Sequence, residues 1–132
     1  MDDSQNTKCH TIIHAAATAA AGAAAGLAQI PGSDNVVITP IQIGMIVSLG
    51  KVFGEELSEA AAMAALATAA ATVVGRGLSQ FLVGWIPGIG NIINASTAFG
   101  ITESIGWYMA DVFDEADKER GKKREELPPP IK

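Results

Sequence analysis

Hydrophobic positions in this sequence form long apolar stretches that charged residues interrupt at only a few places. Apart from histidine, no charged residue occurs in 9–33, 35–50, 60–75 or 77–102. Alanine, leucine, methionine and glutamine are prominent in these stretches, and alanine has the highest helix propensity of all residues. The pattern therefore predicts helices rather than strands.

Prolines, glycines and capping residues divide these stretches into four predicted helices. Ile30-Pro31-Gly32 ends the first helix and Pro87-Gly88 ends the third, because proline breaks a helix. Pro40 fits the first turn of the second helix, where a missing N–H costs little. Gly54 is the expected C-cap of the second helix, and Ser58 the expected N-cap of the third. The predicted ranges are about 11–29, 37–53, 59–86 and 90–122.

The sequence around the first predicted turn is similar to that around the second. With a shift of 56 positions, Pro31 aligns with Pro87 and Gly32 with Gly88, and several later glycines also align. We interpret this as an internal duplication of a helix–IPG–helix unit, with convergence on the same turn residues as the alternative. The predicted fold is all-α, with four helices in two helical hairpins. The predicted organisation is a polar N-terminal arm (1–10), one helical domain (11–122, hairpins 11–53 and 58–122) and a disordered proline-rich tail (123–132).

The composition excludes several classes of protein. The chain is 48% hydrophobic and 17% charged, which is the opposite of a disordered sequence. Its net charge of −5 argues against a general nucleic-acid binder. Cys9 is the only cysteine, so an intramolecular disulfide is excluded.

The charges cluster at one end of the predicted hairpins. An up-down-up-down arrangement brings together the N-terminal arm, the 51–59 connection and the segment after Asp111, which we call the charged end. Basic residues gathered on one side are typical of hairpins that enter a membrane from the cytoplasm. The pattern predicts membrane association with both termini in the cytoplasm. The alternative is a cytoplasmic, soluble bundle that buries its apolar faces in an oligomer.

Glycines recur within the predicted helices, although an interior glycine costs a helix about 0.5–1 kcal/mol relative to alanine. Small residues allow two helix backbones to approach closely, in lipid or in water. We therefore expect helix packing or assembly at Gly22, Gly26, Gly44, Gly84, Gly100 and Gly106.

Arg76 and Glu103 are the charges deepest within the third and fourth predicted helices. Counted from the shared turn, their heights differ by roughly 7 Å, which an arginine side chain can partly bridge. An unpaired buried charge is costly, so the sequence predicts that they form a buried ion pair. Exposure of either residue to solvent or to a subunit interface is the alternative.

Few residues belong to a recognisable metal-binding, nucleotide-binding or catalytic motif. His10 and His14 share a helix face next to Cys9, but no third metal ligand has suitable spacing. No phosphate-binding loop of the GxxxxGK[ST] type and no set of nucleophile, base and acid occurs. We expect no enzymatic activity, no metal and no cofactor.

Three segments resemble a known bacterial family. They are IIHAAATAAAG, TPIQIGMIVSLGKVFG and GRGLSQFLVGWIPGIGNIINASTAFGITESIGWYMADVFD. They are similar to the YcjF-type domain, a helical family of unknown function that is associated with GTPases and membranes. The resemblance covers about residues 11–113 and implies a GTPase-like partner acting in trans, because this sequence contains no GTP-binding motif.

The sequence therefore predicts a non-catalytic, membrane-associated helical module that assembles with itself or with a GTPase-like protein. The alternative is a soluble homo-oligomeric scaffold that buries Ala/Gly-rich helix faces between subunits. A membrane-perturbing hairpin protein is a third hypothesis.

Overall fold

The computed structural model describes residues 1–26, 34–75 and 95–126. These residues form four α-helices: α1 (Asp3–Gly26), α2 (Asp34–Val52), α3 (Glu59–Gly75) and α4 (Ala95–Glu126). The predicted all-α class is confirmed, and no strand occurs in the described ranges. The turn residues Pro31, Gly32, Pro87 and Gly88 lie outside them, and the internal duplication stays a prediction.

Helix α1 begins eight residues earlier than the sequence pattern predicted. The side chain of Asp2 accepts a hydrogen bond from the backbone N–H of Gln5 at 2.7 Å, and Gln5 Oε1 accepts one from the N–H of Asp2 at 3.0 Å. This reciprocal arrangement is a capping box, in which two free N–H groups at the helix start find partners. Residues 3–10 are therefore helical and do not form the expected arm.

The connection between α2 and α3 has the predicted caps. Gly54 has a φ of 80°, the N–H of Glu55 donates to the carbonyl of Gly50, and the N–H of Gly54 donates to that of Lys51. These bonds define a Schellman motif, which ends α2 with a left-handed glycine. Ser58 then accepts a hydrogen bond from the N–H of Ala61 at 3.1 Å and so caps α3.

Two details at helix ends differ from expectation. Pro40 is the seventh residue of α2, beyond the first turn, because α2 begins at Asp34 rather than Val37. Helix α4 continues to Glu126, four residues past the predicted end. Lys123 and Arg124 lie in its last turn, where positive charge favours the helix C-terminus.

Helix α1 packs most extensively against α4, its most distant partner in sequence, and also contacts α2. His10 lies beside Trp107, and His14 beside Glu103, so α1 and α4 run antiparallel. Gln42 contacts Thr102, and Phe53 contacts Phe113, so α2 runs parallel to α4. Helix α3 packs against α2 and α4, and does not contact α1 within the described ranges.

The core lies between the four helices, and α3 contributes Ala62, Leu66, Ala69 and Val73 to it. One stripe of α1 is fully buried, formed by Cys9, Ile13, Ala17 and Ala20. The small residues Ala98, Gly106 and Ala110 are buried on α4, and Gly106 faces Ile13 of this stripe closely. The rings of Phe53 and Phe113 stack near the charged end, with centroids 6.4 Å apart.

Candidate functional site

The predicted packing glycines occupy different environments. A Cβ atom at Gly106 would lie 2.8 and 2.9 Å from Cγ1 and Cγ2 of Ile13, and 3.0 Å from the sulfur of Met45. Gly106 therefore lies at a tight contact of α4 with α1 and α2, as predicted. Gly22 and Gly44 are exposed, and a Cβ atom at either would meet nothing within 4 Å. Neither lies at a contact with another described residue of this chain, which differs from the expectation.

The structure gives less information about the other predicted packing glycines. Gly100 is half-buried on α4. Gly84 and the surroundings of Gly26 lie outside the described part of the chain. Packing of Gly22 or Gly44 against a second molecule stays a prediction.

Glu103 joins α1 to α4. Its Oε1 lies 3.2 Å from Nδ1 of His14, and its Oε2 accepts a hydrogen bond from the indole N–H of Trp107 at 3.1 Å. The side chain is 24% exposed, so Glu103 lies at the edge of the bundle and not deep within it. Arg76 lies outside the described residues, and its pairing with Glu103 stays a prediction.

Cys9 and the two histidines do not converge on one point. His10 contacts the edge of Trp107, His14 contacts Phe99, and Cys9 is buried below them. Burial raises the pKa of the Cys9 thiol, and the negative charges of Asp114 and Asp111 raise it further, so the nucleophilic thiolate is disfavoured. Among the described residues, no group of three or more histidine, cysteine, aspartate or glutamate side chains can hold a metal ion.

The charged end is held together by two sets of polar contacts. The Met1 ammonium lies 2.9 Å from Oδ1 of Asp114, and Lys118 lies 3.3 Å from Oδ2 of the same carboxylate. The hydrogen bond from the ammonium lowers the pKa of Asp114 below its ordinary value, with a smaller contribution from Lys118.

Arg120 forms the second set. It donates to the carbonyl of Phe53 at 2.7 Å and to the carboxylate of Glu55, so it binds the end of α2 directly. Together with the Met1 contact, this places the N-terminus, the connection and the last part of α4 at one end of the bundle, in agreement with the predicted arrangement.

An open groove lies between α2 and α3 in the described part of the chain. Its volume is about 900 Å³, and most of its lining is apolar or small. Its residues are Thr39, Pro40, Ile43, Gly44, Val47, Ser48, Leu57, Glu59 and Met63. Met63 is 51% exposed and adds a large apolar side chain to this surface.

A smaller hollow of about 280 Å³ lies on the other side of α3, against α4. Val112, which is 42% exposed, contributes to its lining. An exposed apolar side chain thus lies on each side of α3: Met63 of α3 itself at the larger surface, and Val112 of α4 at the smaller one. We call the larger of the two concave surfaces the α2–α3 groove.

Comparison of the chain with protein-family models, curated proteins and solved structures gives no significant match.

The α2–α3 groove was not foreseen from sequence. Met63 is the largest side chain in an alanine-rich segment, and that contrast was the available signal. Its position four residues after the first residue of α3 places it on the same helix face as Glu59.

No helix within the described ranges is long and apolar enough to cross a membrane.

Proposed function

We propose that this chain is a non-catalytic helical module that assembles with copies of itself. The observation that carries the proposal is the α2–α3 groove, an open and largely apolar surface with Met63 half-exposed at its wall. Apolar surface of this kind gains free energy when a partner removes it from water. The exposed positions of α3 are mostly alanine and threonine, which let another helix approach closely.

The mass of the purified chain in solution tests this proposal. Light scattering across a range of protein concentrations should give the mass of two or more chains of 13.6 kDa each. A mass of one chain at every concentration would contradict self-assembly.

A GTPase-like partner in trans is the part of the proposal that rests on the resemblance to the YcjF-type domain. In that case this chain should not bind GTP alone, because its sequence contains no phosphate-binding loop. Stoichiometric GTP binding at micromolar affinity in a calorimeter would contradict this expectation.

Membrane association is the second candidate, and the clustering of charge at one end supports it. Lys118, Arg120 and the basic residues of the last turn of α4 lie on the same side of the bundle as the N-terminus. Co-sedimentation with anionic vesicles, compared with neutral vesicles, distinguishes this candidate from self-assembly in water.

A further inference from the structure

We propose that the α2–α3 groove is covered by the same face of a second copy, with both charged ends on the same side of the dimer. This inference rests on the proposed self-assembly and names the surface and the geometry that it uses. Three features of the groove lead to it: its open apolar wall, its unpaired charges and the heights at which those charges lie.

One unpaired charge of each sign lies in or beside the groove near the charged end. Glu59 lines the groove from α3. Lys51 lies one turn beyond Val47 on α2, on the helix face that Val47 and Ser48 present to the groove. Both side chains are exposed. Neither forms an ion pair with any residue in the described part of the chain.

These two charges lie at nearly the same height along the bundle. Lys51 precedes Gly54 by three residues, roughly 4.5 Å along the axis. Glu59 is the first residue of α3, which starts beside the end of α2. A Cβ at Gly50 would lie 3.3 Å from Cδ1 of Leu57, which confirms that the two ends are adjacent. The heights of Lys51 and Glu59 therefore differ by less than about one helical turn.

The similar heights of Lys51 and Glu59 favour one two-fold symmetry for the dimer. In a two-fold dimer the same patch of both chains forms the interface, so each contact occurs twice. An axis parallel to the helices keeps every height and exchanges the two walls, which places Lys51 of each copy opposite Glu59 of the other. A perpendicular axis would place both charges against the apolar far part of the groove near Pro40, where they would lose water without gaining a partner.

The charges of the groove also favour a second copy over an anionic lipid surface as the partner. Glu59 lies within the groove, and Glu56 is exposed beside it. An anionic lipid surface would be repelled by these carboxylates. A second copy supplies Lys51 to Glu59 and an apolar wall to Met63.

A charge exchange tests the proposal in the full chain. Lys51→Glu should raise the dissociation constant of the dimer by about tenfold, because two ion pairs become like-charge pairs. The double variant Lys51→Glu with Glu59→Lys should restore most of the affinity. Lys8→Glu is the matched control, since Lys8 is exposed on α1 and forms no ion pair within the described residues. Sedimentation velocity gives the constants, and circular dichroism confirms that each variant is folded.

Met63→Glu provides a second measurement that does not depend on the ion pairs. It places a charge on the apolar wall and should weaken the dimer more than Lys51→Glu does. Its control is Ala61→Glu, which lies on α3 nearly opposite Met63 around the helix, in the N-terminal turn that favours a carboxylate.

The outcomes separate the surface from the proposed function. Loss of the dimer in Lys51→Glu and its return in the double variant support both. A dimer that neither Lys51→Glu nor Met63→Glu weakens overturns this surface and leaves self-assembly in place. A wild-type chain that is monomeric at all concentrations, whether or not it binds vesicles, overturns both.

Discussion

Replacement of Gly106 by alanine tests whether the contact of α1 with α4 is as close as the structure shows. The added Cβ would lie 2.8 and 2.9 Å from two carbons of Ile13. Unstrained carbon contacts lie near 3.5–4.0 Å, so the overlap is roughly 0.7 Å. Ile13 is fully buried, and the clashing atoms sit on its branched carbon, where χ1 is stiff. The side chain therefore cannot move aside at small cost.

Two effects of opposite sign determine the result. Alanine in place of an interior helical glycine stabilises by about 0.5–1 kcal/mol. Overpacking of a core contact costs about 1–3 kcal/mol. We expect the overpacking to dominate, so that Gly106→Ala lowers the free energy of unfolding by about 0.5–2 kcal/mol.

Gly22→Ala is the matched control for this measurement. Gly22 is also a helical glycine, but its surroundings are open, so this variant should be stabilised by about 0.5–1 kcal/mol. Urea unfolding monitored by circular dichroism gives both values. In the cycle with Ile13→Ala, Gly106→Ala should cost much less, because alanine at position 13 lacks both clashing atoms. Equal stabilisation by Gly106→Ala and Gly22→Ala would refute the close contact.

Three further predictions concern the charged end. The depressed pKa of Asp114 means that its carboxylate stabilises the fold above about pH 4 and that this contribution is lost as the pH falls through the folded-state pKa. The difference in urea midpoint between wild type and Asp114→Asn should therefore shrink between pH 6 and pH 3, and a constant difference would contradict the assignment. Gly54→Ala should cost about 1–2 kcal/mol in thermal unfolding, because a φ of 80° is strained for alanine, and no loss would show that α2 ends differently. Arg120→Gln should destabilise by about 1 kcal/mol through its lost bonds to the end of α2. Arg124→Gln should cost less, about 0.3 kcal/mol, because this exposed residue loses only its interaction with the helix C-terminus. Equal losses in both variants would argue against a specific role for Arg120.

Features set by neighbouring residues could be predicted from the sequence, and features set by distant ones could not. The caps at Gly54 and Ser58 depend on backbone conformation within a few residues, and both are confirmed. The start of α1 is local as well, and the pairing of Asp2 with Gln5 was a readable signal that the polar composition of the segment obscured.

The packing of α1 on α4 depends instead on which helices meet. The hairpin interpretation emphasised contacts between helices that follow each other in the chain, whereas α1 makes its largest contact with α4. For the same reason, Gly22 and Gly106 are indistinguishable as sequence features, and only the three-dimensional packing separates the open position from the tight one. The partner of Glu103 on α1, His14, was noticed in the sequence only as a metal-ligand candidate.

The contact between α1 and α4 has a consequence for folding during synthesis. His14 and Glu103 are separated by 89 residues, and ribosomes add about 5–20 residues per second. The apolar stripe of α1 is therefore synthesised about 5–20 s before α4, the helix that covers it. Such a long-range contact also slows folding, because a large loop must close before the contact forms. We expect α1 to be cut by protease in ribosome-stalled chains that end before α4 and to be protected in the released protein. Equal protection in both would mean that α2 and α3 suffice to shelter α1 until α4 is made.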